Sequence, residues 1–563
     1  MNFSFKNGRG AASLLALAAI TAITASSNAL AFDIDLGNPD LSLRWDNTVR
    51  YNLGVRVDER NDKLANDAIA DEGTYSFDQG DIVTNRLDLL SELDFVYREH
   101  SGVRFSGAAW YDNAYDDRSH ANPNPPLSQI PSYVGNEYSH TVKRFYQGPS
   151  GELLDAFAFT RFDLGKVPVT VKAGRHTVYW GESLLLGGFV HSVAYAQAPV
   201  DLQKGFATPG AEAKELFRPL ANVSTQAQLT DTLSVAGQYF FEWEASRYPE
   251  GGTYLGPVDF LFDGPDRQFI SPALGFAARG APREPKQHGE WGLSARWTPQ
   301  LLDATLGFYV RRFADKLPQA LITQVPSQAN PTAAPRYNLI YADGIMLYGL
   351  SLSKQVLGMS LGAELSYRHD MPLNAQILGV APGLPAHGDT KGPRGDTVHG
   401  LINLIGVIGK TPLFDSAGWS TELTWNTYTH VSSGAALFNA DGYAACAGKN
   451  KWDGCATKQA VAAGVNFTPT WYQVLPSVDL LMPVSVSSGL YGNSAVLLGG
   501  NQAAGNYSVG IGADIRQAYR VDLKYVDYFG RTKDNGTAVT SQNGLMALLK
   551  DRGFVALTFK TTF

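Results

Sequence analysis

Gly553-Phe-Val-Ala-Leu-Thr-Phe-Lys-Thr-Thr-Phe563 closes the chain and decides how the rest is read. Counting back from the C-terminus, Phe563, Thr561, Phe559, Leu557 and Val555 fall on one parity, and Lys560, Thr558, Ala556 and Phe554 on the other. A β-strand repeats its side-chain direction every two residues, so the first set shares one face, which is apolar and ends in an aromatic ring. The second face is mixed. Two readings fit this stretch alone: a strand of a membrane β-barrel, or a strand of a soluble sandwich.

The amino end separates them. Lys6 and Arg9 precede an apolar run that starts at Ala11, and Ala29-Leu30-Ala31 follows as a small-x-small cleavage site. That is the pattern of a secretory signal peptide over residues 1–31, with the mature chain starting at Phe32. An uncleaved anchor is the competing reading, but the apolar run is short and rich in Ala and Thr. Cleavage leaves 532 of 563 residues and takes the formal net charge from −7 to −9, because Lys6 and Arg9 leave with no acid. Beyond Ala31 no apolar run is long enough for a membrane-crossing helix; the best, Leu401 to Ile408, is short and carries Asn403. An exported chain with no such helix and an alternating final strand points to a barrel. The end resembles the C-terminal signal strand of bacterial outer-membrane barrels, in which a terminal Phe is read by the assembly machinery. That resemblance gives Phe559 and Phe563 the role of assembly signal.

No linker, charge block or low-complexity tract divides residues 32–563, so they read as one large domain. A mean hydropathy of −0.14 is no objection, since only alternate strand residues of a barrel meet lipid. The acidic balance and the lack of a basic tract with interleaved aromatics argue against nucleic-acid binding. Cys446 and Cys455, the only cysteines, read as one disulfide closing a small loop in an oxidising compartment. No cofactor or metal set is apparent.

The first strand runs from Leu41 to Val57, with Arg44, Arg50 and Arg56 opposite Trp45 and Tyr51. The short stretch from Phe32 to Asp40 leaves no room for an N-terminal plug domain. The same parity test marks strands near 86–98 and 103–112, joined by a tight turn at His100-Ser-Gly102, and near 153–164, 167–177, 222–230 and 232–245. It continues near 290–298, 303–312, 344–354, 357–368, 397–409 and 418–430, then near 467–475, 478–487, 505–516, 519–530 and 553–563. Pro469 makes the 467–475 assignment poor. Short links alternate with long polar segments down the whole chain, as short periplasmic turns and long external loops do in outer-membrane barrels. The expected fold is a single all-β transmembrane antiparallel barrel of roughly 18 strands, with about 16 as the alternative.

The parity opposite the apolar one should line the lumen. It brings in Arg44, Arg50, Arg86, Glu92 and Arg104, then Arg161, Lys172, His176, Glu364, Arg368 and Glu422. Both signs are interspersed, which suits a salt-bridged wall or charge rings that select solutes without fixing the sign. The long segment 178–221 stands apart. It carries Trp180 and Glu182, an apolar run from Leu184 to Val193, Asp201, and a stretch from Pro209 to Pro219 that contains Glu212, Lys214, Glu215 and Arg218. So much apolar surface in an external loop requires a burial partner. The stretch between the prolines suits a short helix. The segment is expected to fold into the lumen as a constriction; a loop laid over the rim, or a surface for other chains, is the alternative.

Gly174-Arg175 through Trp180-Gly-Glu-Ser183, the Pro209-to-Pro219 stretch, Phe240-Phe-Glu-Trp243 and the run from Gly80-Asp81 to Tyr115-Asp116 resemble a proteobacterial outer-membrane barrel family of unknown function. The chain departs from it at Ala198-Pro199-Val200-Asp201, where Asn-Pro is expected before an Asp. The resemblance implies a porin-like protein in the outer membrane of a Gram-negative cell. It also implies a periplasmic partner, an inner-membrane transporter of the resistance-nodulation-division type, and small hydrophobic or amphipathic solutes. Two other functions stay open: a general porin for polar solutes, and a non-transporting receptor or partner of such a transporter. An enzyme is not expected. His176 near Ser183, or His191 beside Ser192, could supply a Ser–His pair, but there is no Gly-x-Ser-x-Gly elbow and no His-Glu-x-x-His pattern.

Overall fold

Alternation carries through to the three-dimensional structure, a computed structural model that describes residues 32–124, 131–208, 213–271, 273–328 and 330–563. Residues 1–31, expected from the sequence to be a signal peptide, lie outside the described residues. The first third of the barrel is β1 (Leu41–Arg56), β2 (Ile82–Tyr97), β3 (Ser101–Asp112), β4 (Ser150–Leu164), β5 (Val167–His176) and β6 (Leu220–Thr230). Next come β7 (Leu233–Phe240), β8 (Trp291–Trp297), β9 (Thr305–Phe313), β10 (Ile345–Val356), β11 (Met359–Pro372) and β12 (Arg394–Ile408). The last third is β13 (Ser416–Ser433), β14 (Gln459–Leu475), β15 (Val478–Leu481 continued by Val484–Tyr491), β16 (Gly505–Ile515), β17 (Tyr519–Phe529) and β18 (Phe554–Thr562). Each strand pairs antiparallel with its sequence neighbours. β18 then pairs with β1 from Arg56↔Phe554 to Thr48↔Thr562, which closes an 18-stranded barrel.

The seam is finished by the chain ends. Asn47 N donates to Phe563 O at 2.7 Å and Phe563 N donates to Asn47 O at 2.9 Å. Just past that point the segment Phe32–Ile34 pairs with Leu43–Trp45 along the same edge of β1. No strand edge is left unpaired where the last strand stops short.

The two faces follow parity. On β18, Leu557 is 40% exposed while its neighbour Ala556 is 1% exposed. Trp45, Leu87, Leu89, Phe105, Leu293, Phe308, Leu365 and Leu423 are likewise exposed on the outside. Arg50, Asn52, Asp88, Arg311, Arg368, His399 and Glu422 are buried within. A surface apolar outside and polar inside is that of a barrel standing in lipid.

Three details differ from the sequence reading. The β2–β3 turn is made by Arg98 and Glu99, both at positive φ (49° and 58°), rather than around Gly102, which lies inside β3. Two consecutive left-handed residues are what a two-residue turn needs to match strand twist. β14 is much longer than 467–475 and includes Pro469, whose carbonyl accepts from Met482 N at 3.0 Å. β7 ends at Phe240 rather than near 245.

The long connections fold together into a cap with its own core, which includes Trp243, Tyr248, Phe260, Tyr337 and Leu548. Part of it is a small sheet of the segments Gln319–Gln324, Arg336–Ile340, Gly275–Arg279 and Arg267–Ser271. Cys446 and Cys455 are joined by a disulfide in the β13–β14 connection, with their Cα atoms 6.1 Å apart.

Buried carboxylates outnumber the cations that face them in this cap. Burial pushes the Asp67 carboxyl up to about 6 and that of Glu250 up to about 7. It also raises Asp71, Glu72 and Asp259, which repel one another. Asn122 N donates to Asp71 at 2.8 Å and Ser132 N donates to Glu72. Arg552 and Arg267 face the cluster, while Glu250 is faced by Arg279 and by the carboxylate of Asp263. Carboxyls raised by folding favour the folded cap below the ordinary carboxylate range, and that contribution is lost as pH climbs through 6 and 7. For Asp67 alone it is roughly 3 kcal/mol. Protease cleavage within 58–81 and 246–266 is therefore expected to quicken between pH 5 and pH 8, and Asp259→Asn to flatten the dependence. A pH-independent rate would contradict this.

Candidate functional site: the in-folded segment and its cavity

Segment 178–221 leaves β5, crosses the barrel interior and returns as β6. Its short helices are Leu186–Phe189, Leu202–Ala207 and Ala213–Leu216. Its side chains and backbone reach wall strands from β7 round to β14, and also β1, which only an interior segment can do. Phe189, Val190, Val193, Tyr195, Leu216 and Phe217 form one buried cluster with Tyr309, Phe313, Leu347 and Tyr428 of the wall. Fully burying one such side chain is worth about 1.5–3 kcal/mol. The apolar run that was out of place in an external loop has its burial partner here.

Wall side chains hold the segment's backbone by matched polarity. Glu364 on β11 accepts from Ser183 N at 3.1 Å, Ser192 Oγ at 3.2 Å, Val193 N at 2.6 Å and Glu182 N. Glu422 on β13 accepts from Leu184 N at 2.8 Å and Leu185 N at 3.2 Å. Arginines take the carbonyls. Arg311 on β9 donates to Val193 O and Tyr195 O, both at 2.8 Å, and Arg368 on β11 donates to Ser192 O at 2.9 Å. The Arg368 guanidinium also stands 4.6 Å from the centre of the Tyr195 ring.

His191 and His399 complete this grip, their Nδ1 atoms 2.9 Å apart. His191 Nε2 faces Gly499 O at 3.0 Å, so the proton sits there and His191 Nδ1 accepts from His399. Close approach also needs small wall residues. A Cβ on Gly349 would lie 2.5 Å from Val193 Cγ1, and one on Gly292 would lie 2.7 Å from the Trp180 ring.

The residues singled out from sequence fall into distinct places. Arg50 pairs with Glu215, tying the far end of the segment to β1, at 2.9 Å for one of its two contacts. Arg44 pairs with Asp46 at 2.8 Å and Arg86 with Asp88 at 3.0 Å along their own strands. Arg104 is held by Glu92, by Asp94 at 2.7 Å and by Asp155 at 3.4 Å. Trp180 packs on Tyr309, and Glu182 lies 3.7 Å from Arg296.

Asp201 caps the Leu202–Ala207 helix through Lys204 N at 3.0 Å and pairs with Arg247 at 3.0 Å. Arg218 pairs with Glu244 and lies 3.9 Å from Glu152. Glu212 and the side chain of Lys214 lie outside the described residues. His176 Nε2 is 2.7 Å from Ser224 Oγ, not at Ser183, and its Nδ1 faces Gly174 O rather than a carboxylate. Arg311 and His399, central to the grip, were not singled out by the sequence. Their inward parity on β9 and β12 was the available signal.

Beside the segment one cavity of about 1340 Å³ remains. It begins near the short turns with Arg104, Phe157, Phe159, Arg161, Lys172 and His176. It passes Leu185, Phe189, Phe217 and Phe206, and ends under the cap at Phe260, Leu261, Leu498 and Met546. Arg104, Arg161 and Lys172 border its first end, Glu422, Asp315, Lys316 and Asp453 border it further on, and apolar side chains make up most of the rest.

A family described as "Protein of unknown function (DUF1302)" matches residues 12–563. None of the curated proteins matches the chain. Among solved structures, OpdK of Pseudomonas aeruginosa, crystallised with vanillate, is 8% identical with a TM-score of 0.40, over 92% of this chain and 98% of that one. OccAB1 of Acinetobacter baumannii is 9% identical with a TM-score of 0.42, over 96% and 99%. OccD3 (OpdP) of Pseudomonas aeruginosa is 12% identical with a TM-score of 0.39, over 95% and 93%. These likenesses are too distant to assign a role.

Proposed function

The chain belongs to the DUF1302 family, and from that premise and its geometry we propose that it is an outer-membrane channel for small apolar or amphipathic molecules, narrowed by segment 178–221. The cavity carries the reading. An 18-stranded wall is wide enough for an aqueous pore, yet here the interior is packed by an apolar segment, and Phe, Leu and Met side chains make a continuous apolar track along the space left over, beside its polar residues. An apolar solute leaving water gains from such a track, which a path for sugars or ions does not need. The protein in this reading moves solute and does no chemistry on it. A periplasmic protein and an inner-membrane transporter of the resistance-nodulation-division type are the partners it would serve.

A general porin for polar solutes is the competing function, favoured by the charged end at Arg104, Asp94 and Asp155. The two separate in a Gram-negative host depleted of its own porins. Expression of the chain is expected to speed entry of the apolar dye N-phenylnaphthylamine and to leave disaccharide entry unchanged. Faster disaccharide entry without faster dye entry would overturn the proposal.

A further inference from the structure

Four Lys and Arg side chains border the cavity, and two of them differ from the others. Arg104 is engaged by three carboxylates, and Lys316 is paired with Glu290 at 2.9 Å. Arg161 on β4 and Lys172 on β5 make no ion pair among the described residues, though both face the cavity. The ladder sets Phe159 against Lys172 and Arg161 against Thr170, so the two cations are diagonal neighbours, with Cα atoms roughly 7–8 Å apart. The carboxylates on the same inward parity form no ion pair with them, although Asp155 attracts Lys172 from a distance. Asp155 is taken by Arg104 and by Ser106 Oγ at 3.0 Å, and Asp163 lies beside the β4–β5 turn with no ion pair among the described residues.

The same stretch of wall turns phenylalanines inward. Phe157 and Phe159 border the cavity on the parity of Arg161, their ring centres 6.5 Å apart, and Lys172 Nζ stands 5.3 Å from the Phe157 ring. The inner wall of a water-filled barrel is polar, so inward phenylalanines next to two cations that form no ion pair among the described residues make a surface with two requirements. An anion satisfies the cations and an apolar chain covers the rings. Leu185 and Phe189 of the in-folded segment continue the apolar lining from there toward the cap.

We propose that Arg161 and Lys172 seat the anionic head group of an amphiphilic solute, a carboxylate or phosphate, while Phe157 and Phe159 begin the apolar track that takes its tail. This rests on the cavity being the solute path. It goes further by naming the solute class as single-headed anionic amphiphiles and by setting the bound orientation, with the head toward the short turns and the tail toward the cap.

The test is calorimetric titration of residues 32–563 in lipid nanodiscs with octanoate, octyl phosphate and octan-1-ol, corrected with empty nanodiscs. Both anions are expected to bind at least about tenfold more tightly than the alcohol, since hydrogen bonds to charged groups exceed that factor. The ratio between the two anions names the preferred head. Arg161→Gln/Lys172→Gln is expected to weaken octanoate by about tenfold or more and to leave octanol unchanged, whereas Arg161→Lys/Lys172→Arg retains octanoate binding. Heat-modifiable migration shows that each variant is folded. Equal affinity for octanol and octanoate, or octanoate binding that survives the double Gln change, overturns the head-group site and leaves the apolar path standing. Failure of all three ligands to bind overturns the path itself, and the head-group site with it.

Discussion

Excising Leu184 to Val193 raises the single-channel conductance of the barrel by at least about tenfold, because an 18-stranded wall without its filling encloses an aqueous channel. The deletion removes the part of segment 178–221 that packs deepest, with Phe189, Val190 and Val193 buried among Tyr309, Leu347 and Tyr428. It removes no pair of the barrel ladder, since β5 ends at His176 and β6 begins at Leu220. The variant should therefore still fold, still migrate as a heat-modifiable barrel, and differ in the width of its lumen. Glu364 and Glu422 lose the backbone donors that they accept from and gain water in their place. Unchanged conductance in a folded variant would mean that the segment does not limit passage.

The second large effect comes from one side chain. Glu364→Ala strips the acceptor from Glu182 N, Ser183 N, Ser192 Oγ and Val193 N together. Each buried donor left without a partner costs about 1–3 kcal/mol, so segment attachment should weaken by several kcal/mol. Hydrogen exchange at residues 182–193 is expected to rise steeply while exchange in β10 to β13 stays slow. Glu364→Gln keeps an acceptor oxygen and should fall between. Glu422→Ala acts on the same segment, so its effect will not add in full to that of Glu364→Ala. Protection at 182–193 that survives Glu364→Ala would show that apolar packing alone holds the segment.

How much of this was legible in the sequence depends on how local each signal is. Strand parity needs only neighbours, so Val555, Leu557 and Phe559 reveal an outward face and Ala556 and Thr558 an inward one without any tertiary knowledge. The alternation of short and long links needs only the chain order, and it gave the number of strands correctly. The β2–β3 turn misled because Gly102 looks like a turn residue, while Arg98 and Glu99 adopt positive φ without one. Pro469 misled because a strand can carry a proline where its carbonyl still pairs, here with Met482 N.

The grip on the segment was legible only by half. Glu364, Arg368 and Glu422 could be read as inward-facing charges, but not as partners of residues 182–195. Those contacts join positions more than 170 residues apart through a loop whose path no periodicity encodes. For the same reason Asp201 and Arg218 could be read as charges of the constriction. In the structure Asp201 caps a helix and pairs with Arg247, and Arg218 pairs with Glu244.

The most direct test of a filled interior is the single-channel conductance of residues 32–563 in a planar bilayer, made on protein shown to be folded by heat-modifiable migration. An interior filled by segment 178–221, with an apolar cavity beside it, predicts little ionic conductance from the wild-type chain. A large, steady conductance would contradict the account and would make the protein a water-filled pore for polar solutes.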